Sequence, residues 1–85
     1  MDNRELLVEL GYEDSTVFEN PDYDSAIIGV TEDDDRVVYD FDLMVKHLVD
    51  TDGITELEAI EFIEYNTMRS LPYVENAPVI IRRIQ

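Results

Sequence analysis

One stretch, residues 26–39, constrains this chain more than any other: an apolar run, Ala26-Ile27-Ile28-Gly29-Val30, then Thr31, four acids in succession, and a second apolar run, Val37-Val38-Tyr39. Two short β-prone runs around a polar loop read as a β-hairpin. Four adjacent carboxylates repel one another and have no use inside a fold, so Glu32, Asp33, Asp34 and Asp35 are expected at an exposed tip that faces a partner. If these four form the connection, Val30 faces Val37 and Ile28 faces Tyr39. Those four side chains then share the core face, leaving Ile27, Gly29, Thr31 and Val38 on the other. A bulge would change the register.

The flanking segments read as helices and one more strand. Asp2 and Glu5 have capping-box spacing ahead of Leu6, Leu7 and Leu10, and Gly11 stops that first helix. Periodicity fails from residue 12 to residue 25, where Asn20-Pro21-Asp22 is turn chemistry and Thr16-Val17-Phe18 reads as a brief strand. Asp40 occupies an N-cap position before Phe41, Leu43, Met44, Val45, His47 and Leu48, with Asp42 in the first turn, where the helix dipole favours an acid. Asp52-Gly53 ends this second helix. Thr55 and Glu58 form a capping box for a third, carrying Leu57, Ala59, Ile60, Phe62, Ile63 and Met68 and closed by Leu71-Pro72. Residues 79–84 read as a last strand after Ala77-Pro78. The expected fold is α+β in the order α-β-β-α-α-β, a three-stranded, mostly antiparallel sheet with the helices packed on one face.

At 85 residues the expectation is a single domain, residues 1–85, with one core and no room for a large catalytic cleft. A hydrophobic content of 45% fits a folded chain. There are no cysteines, which excludes disulfides and thiolate metal sites and suits a reducing cytoplasm. The acidic start, Met1-Asp2-Asn3-Arg4-Glu5, is unlike a signal peptide, and the longest apolar run is far shorter than the roughly 20 residues of a membrane helix.

Charge is the strongest functional signal. Twenty-one acids against six Lys and Arg give a net charge of −15. Duplex DNA carries one negative charge per roughly 1.7 Å, so that total matches about 25 Å of duplex, close to the ~30 Å span of a compact chain of this length. Direct binding to nucleic acid or to an anionic membrane is disfavoured by the same field. Residues 13–42 hold 11 acids and one base, Arg36, whereas Arg69, Arg82 and Arg83, half of the bases, fall in the last 17 residues. A two-sided molecule is expected.

Other candidate sites each have a plainer reading. Asp50-Thr51-Asp52-Gly53 opens like a calcium loop with Glu61 at its twelfth position, but Ile54 replaces an oxygen ligand and Thr55 stands where the loop needs glycine. A turn followed by a capped helix uses the same residues. Acid pairs such as Asp22 with Asp24 and Asp40 with Asp42 follow from composition, and no nucleophile, base and cleft come together, so neither an enzyme nor a cofactor nor a metal is expected. His47, the one histidine, reads as a partly exposed helix residue. Tyr39 and Phe41 read as core, whereas Tyr12 and Tyr23, set among acids in the irregular segment, read as aromatic anchors of a binding surface. The expected partner-binding residues are thus Glu32, Asp33, Asp34, Asp35, Asp22, Tyr23, Asp24, Asp40 and Asp42.

Residues 18–30 (Phe-Glu-Asn-Pro-Asp-Tyr-Asp-Ser-Ala-Ile-Ile-Gly-Val), 36–42 (Arg-Val-Val-Tyr-Asp-Phe-Asp), 61–67 (Glu-Phe-Ile-Glu-Tyr-Asn-Thr), 71–73 (Leu-Pro-Tyr) and 77–80 (Ala-Pro-Val-Ile) resemble a family of small, acidic, uncharacterised proteins of phages and mobile elements of Gram-positive bacteria. The resemblance implies only a setting, in which phage proteins of this size and charge are often inhibitors of host defence, anti-CRISPR DNA mimics being one such class; the expected location is the cytoplasm of a bacterial host cell. Three readings stand. One is a DNA mimic that blocks the groove of a basic nucleic-acid-binding protein, with a CRISPR effector nuclease as favoured target. The second is an interaction adaptor that uses an edge strand or helix face, its acidity serving solubility. The third is an acidic antitoxin or co-factor of a gene regulator. A monomer or a homodimer fits each.

Overall fold

The computed structural model describes residues 3–12, 14–19 and 21–84; Asp2 as a cap, Glu13 and Asn20 lie outside them. The elements are α1 (Asn3–Glu9), β1 (Ile27–Val30), β2 (Val37–Asp40), α2 (Phe41–Asp52), α3 (Glu56–Phe62) and β3 (Val79–Ile81). The fold is α+β in the expected order. Residues 16–18 form no strand: the Phe18 N–H donates to the Tyr39 hydroxyl (3.0 Å), and Val17 and Phe18 pack against the core from a loop.

The helix ends follow the local chemistry. After α1, Gly11 adopts φ 94°, the Tyr12 N–H reaches the Leu7 carbonyl (2.8 Å) and the Gly11 N–H the Val8 carbonyl (3.1 Å), a Schellman closure. Asp40 caps α2 by accepting from the Leu43 N–H (3.1 Å), and Gly53 at φ 68° ends it. Thr55 and Glu58 make both bonds of the capping box of α3. Asp50, Thr51 and Asp52 are therefore the last turn of α2 and Glu61 lies in α3, so the calcium-like stretch forms no loop.

The sheet has the order β1-β2-β3. β1 and β2 pair antiparallel, but β3 pairs parallel to β2, so the sheet is mixed rather than mostly antiparallel. The long passage through α2 and α3 is a crossover connection, which returns the chain in the direction of the strand it left. A bulge also alters the hairpin. Val30 faces Val37 as expected, but Gly29 faces Val38 and Ile27 faces Tyr39, leaving Ile28 as the extra residue. Ile27 is consequently buried, and Ile28 is 41% exposed instead of lying in the core.

Beyond α3 the helix widens into a π-helical turn, Ile63–Met68. Each four-residue step of an α-helix overshoots a full turn by about 40°. A π turn, with its i→i+5 bonds, takes more residues per turn, and this compensates for the overshoot so that Ala59, Ile63 and Thr67 are all buried. The core they complete centres on Tyr23, Val37, Tyr39, Phe41, Met44 and Leu48. Phe18 packs on Tyr39 (ring centroids 4.6 Å apart) and edge-on to Tyr23 (5.8 Å), which also meets His47 (5.6 Å).

Candidate functional site

The hairpin tip is assembled from the side chains on either side of it. The Thr31 N–H bonds to the Arg36 carbonyl (2.8 Å), and the Arg36 N–H returns to the Thr31 hydroxyl (2.9 Å), which in turn donates to Asp34 Oδ1 (2.5 Å). Asp35 takes a left-handed conformation at φ 54°, which Asp tolerates better than most residues. Outside the turn, Ser15 donates to the Asp35 carbonyl (3.2 Å) and the Arg36 Nε to the Ala77 carbonyl (2.7 Å). These bonds tie the tip to two distant segments.

All four acids of the tip are exposed. Asp34 is partly occupied by Thr31 and lies 3.8 Å from Arg36. Among the described residues, none makes a hydrogen bond or ion pair with the side chains of Glu32, Asp33 or Asp35. Asp14 joins the group: with Asp34, Asp35, Tyr12, Ser15 and Asn76 it lines an open depression of about 220 Å³ beside the tip. Asp14 was an unspecific member of an acidic stretch in the sequence, because its approach depends on the turn after α1.

The remaining expected site residues are elsewhere. Asp22 and Asp24 precede β1, at the other end of that strand; Asp22 Oδ1 accepts the Asp24 N–H (3.1 Å), and Asp24 lies 4.0 Å from Arg4. Tyr23 is no surface anchor. Its side chain is fully buried in the core, its hydroxyl meets that of Thr67 (3.3 Å), and burial raises its pKa against the opposing effect of that bond. Asp40 is no contact residue either: it is 1% exposed, with Oδ1 capping α2 and Oδ2 accepting from the Arg83 Nε. Asp42 is exposed but lines a cleft of about 610 Å³ together with Lys46, Arg82 and Arg83.

The one-signed run of residues 13–42 is therefore divided in space. Because β3 is parallel to β2, Arg82 and Arg83 emerge at the Asp40 end of the sheet, and the acidic tip lies at the opposite end. Exposed aromatics are also placed differently from expectation. Tyr12 is half-buried against the core, whereas Tyr65 and Tyr73 are exposed. Tyr65 escapes the core because the π turn directs Ile63 and Thr67 inward, and no feature of helical spacing marked it. Among the described residues, no group of three or more His, Cys, Asp or Glu side chains is arranged to hold a metal ion, and no helix is long and apolar enough to cross a membrane. Comparison with protein-family models, curated proteins and solved structures finds no match to this chain.

Proposed function

We propose that this protein is a DNA-mimicking inhibitor, which occupies the basic nucleic-acid groove of a bacterial protein, with a CRISPR effector nuclease as the favoured target. The observation that carries the reading is the tip: Glu32, Asp33 and Asp35 stand exposed, with no side-chain partner among the described residues, on a turn braced by Thr31, Ser15 and Arg36. Carboxylates presented on a hydrogen-bonded turn can replace backbone phosphates in contacts with Lys and Arg. Scale supports the same reading. The molecule measures 35 × 30 × 27 Å, and 35 Å of duplex carries about 20 charges against the 15 of this chain.

The mechanism is electrostatic steering followed by steric exclusion of DNA. A field of one sign raises the rate of encounter with a basic groove, and carboxylate–guanidinium pairs hold the complex. No covalent chemistry is involved, and neither cofactor nor metal takes part. The test is inhibition of DNA cleavage by purified CRISPR effector nucleases, comparing the native chain with a Glu32→Lys, Asp33→Lys, Asp35→Asn variant. Asparagine is used at position 35 because it, too, tolerates a left-handed backbone. The reading expects inhibition by the native chain, relieved by excess duplex DNA and lost in a variant with an unchanged circular dichroism spectrum. Inhibition that survives these substitutions, or that added DNA does not relieve, removes the tip from the mechanism and favours the adaptor.

A further inference from the structure

We propose that the cleft at the Asp40 end of the sheet is a second binding site, separate from the acidic tip, and that it takes a small organic cation: an amine carried on an apolar body. The cleft measures about 610 Å³, within the range of roughly 300–1,000 Å³ typical of small-molecule sites. Asp42, Val45, Lys46 and Val49 recur at i, i+3, i+4 and i+7 and so line it from one face of α2. α3 contributes Glu56 and Ile60, and the chain beyond β3 contributes Arg82 and Arg83. Val45 is buried, and Val49 and Ile60 are half-buried, which leaves an aliphatic surface for the body of a ligand.

Charge selects the sign of the ligand. The cleft has three bases and three acids, Asp42, Asp50 and Glu56, but the two sets are not equally committed. Lys46 donates to Asp50 (2.8 Å), Arg83 donates to the buried Asp40, and Arg82 lies 3.6 Å from Glu64. Among the described residues, none makes a hydrogen bond or ion pair with the side chains of Asp42 or Glu56. The charge left over is therefore negative. The field of a chain with net charge −15 adds to it, attracting a cation and opposing an anion.

The chain itself seats a group of this chemistry at the cleft. Arg82, a cation on an aliphatic stem, holds its guanidinium 4.1 Å above the Phe41 ring, where the ring quadrupole attracts positive charge. A bound amine pairs with Asp42 or Glu56 while its apolar body covers Val49 and Ile60. Arg82 then competes with the ligand by its charge and by covering Phe41, whereas for an anionic ligand it would be an attraction. The effect of removing Arg82 consequently has opposite signs for the two kinds of ligand.

The test is titration of the native chain with phenethylammonium, followed by amide chemical shifts at about 0.15 M salt, beside two compounds of similar shape, the anion hydrocinnamate and the neutral phenethyl alcohol. The proposal expects saturable shifts in α2, α3 and residues 82–83 for the amine, and binding at least roughly tenfold weaker for the other two. Asp42→Asn with Glu56→Gln should weaken the amine roughly tenfold, and Arg82→Ala should tighten it roughly fivefold. The Glu32→Lys, Asp33→Lys, Asp35→Asn variant should bind it as the native chain does, because the length of β2, roughly 10 Å, exceeds the Debye length of about 8 Å. The absence of shifts with millimolar amine overturns the proposal, as do equal binding of the three compounds and shifts that spread over the acidic surface without saturating. Weaker binding in Arg82→Ala, or a loss in the tip variant as large as in the cleft variant, overturns it too. The three-compound comparison needs no variant, so the outcome does not depend on how a substitution folds. DNA mimicry concerns the tip alone, and either idea can fail without the other.

Discussion

Asp40 ties three elements together with one carboxylate. As the last residue of β2 it caps α2 through Oδ1 and holds the Arg83 side chain, just beyond β3, through Oδ2. Removing Arg83 leaves a buried carboxylate without its cation, so Arg83→Ala is expected to lower the unfolding free energy by about 2–3 kcal/mol in urea denaturation. Arg82→Ala, which removes an exposed pair and a ring contact, should cost about 1 kcal/mol. The cap was legible from the residues after Asp40. The pairing was not, because it joins positions far apart in the chain.

Tyr39 makes stability depend on alkaline pH. Burial pushes its pKa up to about 12, against the opposing Phe18 N–H bond. The unfolded tyrosine ionises near pH 10, so the contribution is complete below that pH and is lost as pH rises from about 10 through 12, amounting to about 3 kcal/mol. Tyr23 shifts in the same direction. In urea midpoints measured against pH, Tyr39→Phe should flatten the alkaline decline while costing about 1 kcal/mol at neutrality for the Phe18 N–H it leaves without an acceptor. That Tyr39 is core was legible from strand alternation. Tyr23 offered no such signal, since it lies in an irregular segment at φ 51°, and its burial depends on Phe18, His47 and Thr67 arriving from elsewhere.

At the scale of elements, local chemistry predicted where helices begin and end, because Gly11, Asp40, Gly53, Thr55 and Glu58 act on bonds within a few residues. Thr55→Ala should therefore destabilise the chain by about 1 kcal/mol, read as a lower urea midpoint with an unchanged slope. What depends on non-local packing was less legible. Strand alternation alone put Ile28 in the core, and the bulge put Ile27 there instead. The structure predicts that Ile27→Ala costs about 2–4 kcal/mol and Ile28→Lys less than about 0.5 kcal/mol, the reverse of the unbulged register. The π turn and the parallel direction of β3 were hidden for the same reason, since each is a way for distant segments to meet.

At the scale of the molecule, sequence charge predicted an acidic surface but not its shape. The exposed tip emerged as expected, with Asp14 added beside it. Asp40 and Asp42, though close to the tip in the acidic run, fold toward Arg82 and Arg83 at the far end of the sheet. The resulting polarity keeps the tip clear of C-terminal arginines, as a surface for a basic partner requires. The most direct measurement is affinity capture from bacterial lysate on the immobilised native chain and on the Glu32→Lys, Asp33→Lys, Asp35→Asn variant, with elution by salt or duplex DNA and mass spectrometry of what is released. DNA mimicry predicts one basic nucleic-acid-binding protein, held at low salt by the native chain, released by either eluent and absent from the variant. A partner that the variant retains and that neither salt nor DNA displaces contradicts it.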